Sequence, residues 1–287
     1  MLKKMTKGIL MMFSLNCIQN ASTQEIKNLS ELTQYKTMLV DIVGVVYDGI
    51  NPFEKAIAAL NKAQNEGYKL VFMSNNPRPS SLSRANIIKM GFVGDVHIST
   101  SGDYARWCLE GVYKGKKIYH LGAKKNKDIL KDLDVIITDS LQEADIILLT
   151  TFIEETEDPD QFDEKLKEIA LSKKVVLCAN PDVYASYGST LRKCAGFFAQ
   201  KIEQFGGKVE YLGKPNPKFY EYVCKIHNIN LLQKDKILMI GDTLYTDIKG
   251  AKNFGIDSLL VLSGISCDFN TKNPYEYLPT YISRFLS

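Results

Sequence analysis

From Tyr35 onward the chain alternates short apolar runs with segments of helical spacing. The runs cover 37–40, 69–73, 146–149, 175–177, 237–240 and 259–262. They are continuously apolar rather than alternating, which predicts strands of a parallel sheet covered on both faces. Between them the spacing predicts amphipathic helices over 53–66 and 159–171. Asn51-Pro52 precedes the first of these and Gly67 follows it, as helix punctuation requires. Residues 95–115 read as one more strand and helix. Strand and helix in alternation give an α/β fold with a doubly wound, Rossmann-like parallel sheet.

Ligands of such sheets bind beyond the carboxyl ends of the strands. Asp41, Ser74, Asn75 and Asp242 all stand where a run ends. One aspartate in that position is commonly a turn or a helix cap. Several polar groups in that position, on different strands, make a candidate site.

Length and charge narrow the classes. The 287 residues correspond to about two domains. Thirty-six Lys and Arg against 33 Asp and Glu leave a net charge of +3, with no basic stripe, so no nucleic-acid partner is expected. No run reaches 18 apolar residues, so no membrane span is expected. The six cysteines (Cys17, Cys108, Cys178, Cys194, Cys224, Cys267) form no CxxC pair, which points to free thiols in a reducing, cytoplasmic setting. His97, His120 and His227 are scattered, and structural roles are expected for them. Residues 1–24 stand apart. Lys3, Lys4 and Lys7 precede the short apolar run 9–13, as in an export signal. The run is broken by Ser14 and Asn16, and no small-x-small cleavage site follows. Export, a frayed extension and a start codon placed upstream of the true one all stay open.

Four segments carry chemistry: 41–49 (DIVGVVYDG), 73–77 (MSNNP), 212–215 (LGKP) and 240–247 (IGDTLYTD). Carboxylates gathered at one sheet edge repel one another and favour a hard divalent cation such as Mg²⁺. A carboxylate is also a nucleophile toward phosphorus. A hydroxyl, a backbone amide and a lysine are donors suited to a phosphoryl group. In order and wording, the four segments resemble the haloacid dehalogenase-like hydrolases over about residues 25–270. The second and fourth look like the NagD and para-nitrophenylphosphatase branch, which carries a large α/β cap, a domain smaller than the core, inserted between the second and third motifs. Here 138 positions separate Asn76 from Lys214, room for such a cap.

The resemblance implies an N-terminal extension at 1–24, a discontinuous core at 25–115 and 209–287, and a cap at 116–208. It implies Asp41 as nucleophile and metal ligand, and Lys214 as the lysine that pairs with nucleophile and phosphate. Ser74 and Asn75 would bind phosphate. Asp242 would bind the metal, Asp247 would stand behind it, and the backbone carbonyl of Val43 would be the remaining protein ligand. Asn180-Pro181-Asp182 is similar to a cap loop that faces the site, although as a bare tripeptide it signals only a turn. Tyr184 and Tyr187 follow that loop and offer rings for stacking. The expected partner is a small phosphorylated metabolite, and a homodimer is compatible with this branch.

One position departs from the pattern. Phosphatases of this family read Asp-x-Asp-Gly, whereas this chain reads Asp41-Ile42-Val43-Gly44. The missing aspartate normally protonates the leaving alkoxide, a contribution of about 10²–10⁴ in rate. Three readings follow. The chain is a slow phosphatase with good leaving groups or a surrogate acid, Tyr47 and Asp48 being the nearest candidates. It is a hydrolase of another bond, carbon–halogen or phosphorus–carbon. Or it is an impaired enzyme that binds a phosphorylated ligand.

Overall fold

A computed structural model of the chain describes residues 23–154, 156–270 and 276–287. The expected extension at 1–24, Cys17 included, lies outside the described residues except for its last two positions. The described cysteines are all free; four are buried and Cys267 is exposed. No helix among the described residues is long and apolar enough to cross a membrane.

The strands are β1 (Gln24–Glu25), β2 (Thr37–Val40), β3 (Lys69–Ser74), β4 (His97–Thr100), β5 (Lys117–Gly122), β6 (Ile136–Thr138) and β7 (Ile146–Thr150). Then follow β8 (Val175–Cys178), β9 (Tyr184–Tyr187), β10 (Thr190–Lys193), β11 (Val209–Tyr211), β12 (Ile237–Gly241), β13 (Asp257–Val261) and β14 (Tyr281–Ser283). The helices are α1 (Glu54–Asn65), α2 (Ser80–Lys89), α3 (Ser101–Glu110), α4 (Asp163–Ser172), α5 (Ala195–Gln204), α6 (Pro217–Ile226) and α7 (Lys249–Phe254).

A seven-stranded sheet runs β1-β14-β13-β12-β2-β3-β4, parallel at every pairing. A five-stranded parallel sheet runs β11-β8-β7-β5-β6, and β9 and β10 form a separate hairpin. The strand Val209–Tyr211 pairs with β8, so the smaller sheet reaches three residues past the expected boundary at 208. The run at 37–40 explains the larger sheet. Met38 and Val40 point into one apolar cluster with Leu70, Phe72, Leu238 and Ile240. Leu39 points into another with Val71, Met73, Ile237 and Met239. Side chains alternate between the faces of a strand, so only a continuously apolar run serves both. Helices α1 and α2 cover the first face, and α3, α6 and α7 the second.

From β2 the chain moves outward through β3 and β4. It returns at β12, on the other side of β2, and moves outward again through β13 and β14. The order therefore reverses between β2 and β12, and that is where an α/β sheet opens a crevice. Asp41 and Asp242 follow these two strands, and Ser74 closes β3.

The helix expected over 159–171 is two pieces, a 3₁₀ turn at Pro159–Phe162 and then α4. The Asp158 carboxylate accepts the Asp160 N–H at 2.9 Å and fixes the turn. The sequence does not announce α2, because its sequence SSLSRANIIK buries only Ser83 and Ile87 and shows no apolar stripe.

Two of the histidines are structural, as expected. His120 Nε2 meets the Thr150 hydroxyl at 2.7 Å, and His227 Nε2 meets the Ser99 hydroxyl at 2.9 Å. Burial pushes both imidazoles down to about 4, aided by Lys127 at His120 and by His97 and Lys69 at His227. Their folded values lie below the unfolded 6.5, so they stabilise above 6.5 and lose that contribution as pH falls toward 4. Buried carboxyls such as Asp182, raised to about 6, work in the opposite direction. The readout is therefore a difference. Between pH 7 and 4.5 the melting temperature of wild type is expected to fall further than that of His120→Gln/His227→Gln. Parallel curves would mean the two imidazoles protonate freely in the fold.

Candidate active site

Lys214 is the centre of the crevice. It is 1% exposed. Its Nζ donates to Asp41 Oδ1 at 2.5 Å and to Asp247 Oδ1 at 2.7 Å. Asn75, just past β3, fixes the lysine backbone: its Oδ1 accepts the Lys214 N–H at 2.8 Å and its Nδ2 donates to the Lys214 carbonyl at 3.0 Å. The same Nδ2 donates to Asp182 Oδ1 at 2.8 Å. One amide therefore ties the third motif to the Asn180-Pro181-Asp182 loop after β8. The Ser74 hydroxyl is buried beside it and accepts the Asn76 N–H at 3.2 Å.

The loop after β12 holds the other two carboxylates. Asp242 Oδ2 accepts the Ile265 N–H at 2.7 Å, and its Oδ1 accepts the Thr243 hydroxyl at 3.1 Å. Asp247 Oδ2 accepts the Thr243 N–H at 3.1 Å. Glycines make the room. Gly44 has φ +86, and a Cβ there would overlap the Asp242 carboxylate. A Cβ at Gly264 would strike the same carboxylate, and one at Gly241 would strike that of Asp247. Both reasons bar a side chain at Gly44.

Among the described residues, Asp41, Asp242 and Asp247 bring carboxylate oxygens within 4.8 Å of one another. Among the described residues these three buried carboxylates face one ammonium, and Asp242 pairs with no cationic side chain. Burial pushes the Asp41 carboxyl up against the pull of Lys214, and Asp182 adds to the push. Burial, then Asp41, then Asp247 hold Asp242 well above the usual carboxylate range. Burial lifts Asp247 to about 6 despite Lys214. Burial alone would push the Lys214 ammonium down, but Asp247, Asp41 and Asp182 together pull it up. An all-oxygen donor set with excess negative charge fits a hard divalent cation.

A cavity of about 260 Å³ lies beside this centre, with the four charged groups themselves behind its wall, and is lined by Ile42, Val43, Tyr47 and Ser74 on one side. Asn180, Asp182, Tyr187 and Arg192 line the other. A second cavity of about 860 Å³ lies across Asp182. It reaches Pro181, Tyr184 and Thr243 but neither Val43 nor Ser74. Of the two tyrosines noted in the sequence, Tyr187 thus lines the smaller cavity and Tyr184 the larger.

Of the two residues named as surrogate acids, Asp48 does not face this work. Its Oδ1 accepts the N–H groups of Asn51 and Ile50 at 2.6 and 2.8 Å, and these bonds hold its carboxyl below the usual range. Tyr47 lines the cavity, but burial and then Asp41 push its phenol up, which makes it a weaker acid. The residues that sequence reasoning missed are Arg78, Lys125 and Arg192, which also line the cavity. Arg78 follows a quoted motif directly, and that adjacency was the available signal.

The family model for haloacid dehalogenase-like hydrolases matches residues 38–136, and a second, described as HAD-hydrolase-like, matches 211–286. The sugar-phosphatase AraL of Bacillus subtilis (strain 168) is 25% identical over 230 residues, 79% of this chain and 83% of its own. A p-nitrophenyl phosphatase from Archaeoglobus fulgidus shares the fold at a TM-score of 0.73 and 18% identity, covering 88% of this chain and 97% of its own. A haloacid dehalogenase-like hydrolase from Brucella suis 1330 superposes at a TM-score of 0.80. It is 30% identical, over 91% of this chain and 100% of its own. With that agreement along both chains, and two family models on the segments that carry the carboxylates, the chain belongs to the haloacid dehalogenase-like hydrolases.

Proposed function

We propose that the chain is a Mg²⁺-dependent phosphatase of a small phosphomonoester that works through an aspartyl-phosphate on Asp41. The observation that carries this is the buried trio Asp41, Asp242 and Asp247, balanced among the described residues by Lys214 alone. The names of relatives that act on sugar phosphates and p-nitrophenyl phosphate support the same reading. Asp41 and Asp242, with the Val43 carbonyl, would hold the metal. Bound there, Mg²⁺ supplies positive charge that offsets the carboxylates and the phosphate. The Asp41 carboxylate attacks phosphorus, and the bond to the leaving oxygen breaks as the new bond forms. Water then attacks the same phosphorus, releasing inorganic phosphate and restoring the carboxylate. The Ser74 hydroxyl, the Asn75 backbone N–H and the Lys214 ammonium donate to the phosphoryl oxygens. Asp247 keeps Lys214 in place. Residues 25–115 and 209–287 form the core of this reading, and residues 116–208 the cap that selects substrate through the 180–182 loop.

Val43 brings no proton to the leaving oxygen, so the reading is of a slow enzyme best served by good leaving groups. The same residue favours a second reading, a protein that binds a phosphorylated ligand without turnover. An aryl phosphate assay with Mg²⁺ or chelator separates the two. Wild type is expected to be slow and Mg²⁺-dependent, with Val43→Asp faster on a poor alkyl leaving group by roughly 10²-fold. Inactive wild type beside an active Val43→Asp would leave the scaffold sound and the acid missing. Inactivity in both, with a Mg²⁺-dependent rise in melting temperature on adding phosphate, would favour the binding protein.

A further inference from the structure

The cavity in front of Ser74 and Val43 has a sign. Three basic side chains line it, Arg78, Lys125 and Arg192, against one carboxylate, Asp182. They come from separate places in the chain. Arg78 follows the Ser74–Pro77 segment of the core, while Lys125 and Arg192 belong to the smaller sheet's loops and hairpin.

Their partners leave donors over. Arg192 Nε donates to Glu154 at 2.6 Å, and its guanidinium lies 3.2 Å from the centre of the Tyr187 ring. That stacking fixes a planar fork at the wall. One terminal nitrogen of Arg78 donates to Asp128 at 2.7 Å, while its Nε is buried with no partner. A buried unpaired donor is a costly feature unless something arrives to accept from it. Lys125 Nζ stands 4.4 Å from the centre of the Phe152 ring, and among the described residues no carboxylate pairs with it. Lys125 is exposed at the rim; Arg78 and Arg192 are half-buried further in.

We propose that this cavity is an anion subsite, so that the substrate is a small organic phosphate bearing a second anionic group, a carboxylate or another phosphate. This rests on the reading of Ser74 and Lys214 as the site of the scissile phosphate. The scissile phosphate then lies at the Ser74 end and the second anion lies among Arg78, Arg192 and Lys125. A cavity of about 260 Å³ is small for a ligand site, which limits the bridge between the anions to a few carbons. Forked guanidinium groups recognise carboxylate and phosphate in the same bidentate way, so the structure names the charge and not which anion carries it.

A series with a common carbon chain tests this. Propane-1,3-diol monophosphate, 3-phosphooxypropanoate and propane-1,3-diol bisphosphate share one chain and differ in the far end: hydroxyl, carboxylate or phosphate. With Mg²⁺, kcat/KM is expected to be at least about tenfold higher for one or both anionic members, and which of the two leads identifies the second anion. That preference ratio is expected to fall toward one in Lys125→Met and to invert in Lys125→Glu, an exposed position where folding is not at stake. Arg192→Gln, checked by its melting temperature, should reduce it as well. Equal rates across the series, or a ratio unmoved in all three variants, would overturn the proposal while leaving the phosphatase intact. Should none of the esters turn over, the matching phosphonates still decide. A rise in melting temperature that tracks the far-end charge and disappears in Lys125→Glu upholds the subsite, and a rise independent of that charge refutes it.

Discussion

Asp41→Asn is expected to remove Mg²⁺-dependent aryl phosphate hydrolysis by at least about 10³-fold. The side chain keeps its shape but loses the charge that the proposed mechanism directs at phosphorus. Folding should survive. Lys214 retains its 2.7 Å bond to Asp247, and the cluster loses one of its three crowded buried acidic groups. The melting temperature is therefore expected to stay within a few degrees of wild type, so that lost activity reports chemistry. Intact-mass analysis of acid-quenched reactions gives the second readout. Wild type should carry one labile phosphoryl group, and Asp41→Asn none. A variant that keeps its rate would exclude the covalent route, and an unphosphorylated wild type with a normal rate would point to direct attack by water.

This expectation was legible in the sequence because its determinants are local. Asp41, Ser74 and Asp242 each end an apolar run, and parallel strands bring run ends to one edge. What joins them was not legible. Asn75 ties Lys214 to Asp182 across separations of 139 and 107 residues, and no spacing rule reports such a contact. The cavity's basic wall is similar, since Arg78, Lys125 and Arg192 meet only when the smaller sheet folds over the larger. Asp48 shows the opposite failure. Nearness in sequence to Val43 suggested an acid, but its carboxylate is already occupied by the turn N–H groups at Ile50 and Asn51. Helix α2 escaped for a simpler reason: it buries two residues, too few to leave a period.

Lys214→Met is expected to show the largest loss of stability. The ammonium is buried, and its removal leaves Asp41 and Asp247 facing Asp242 with no counter-charge. Breaking a buried pair from one side costs about 3–5 kcal/mol. In a chain of this size that corresponds to a melting temperature lower by roughly 10 °C. The loss should depend on pH in a definite direction. Lys214 pulls the Asp247 carboxyl down, yet burial still leaves it at about 6. Without the lysine its protonated form is favoured further. The lysine's contribution is therefore largest where the carboxyls are ionised, and it fades as pH falls through about 6. Measured with chelator present, the gap between wild type and Lys214→Met should be wide at pH 8 and narrow at pH 5. A cation that binds the folded cluster works against the same repulsion, so adding Mg²⁺ at pH 8 should raise the variant's melting temperature more than that of wild type. A variant as stable as wild type at pH 8 would mean the carboxylates are not ionised together in the metal-free fold. The charge balance that motivates a divalent cation at this site would then fail with it.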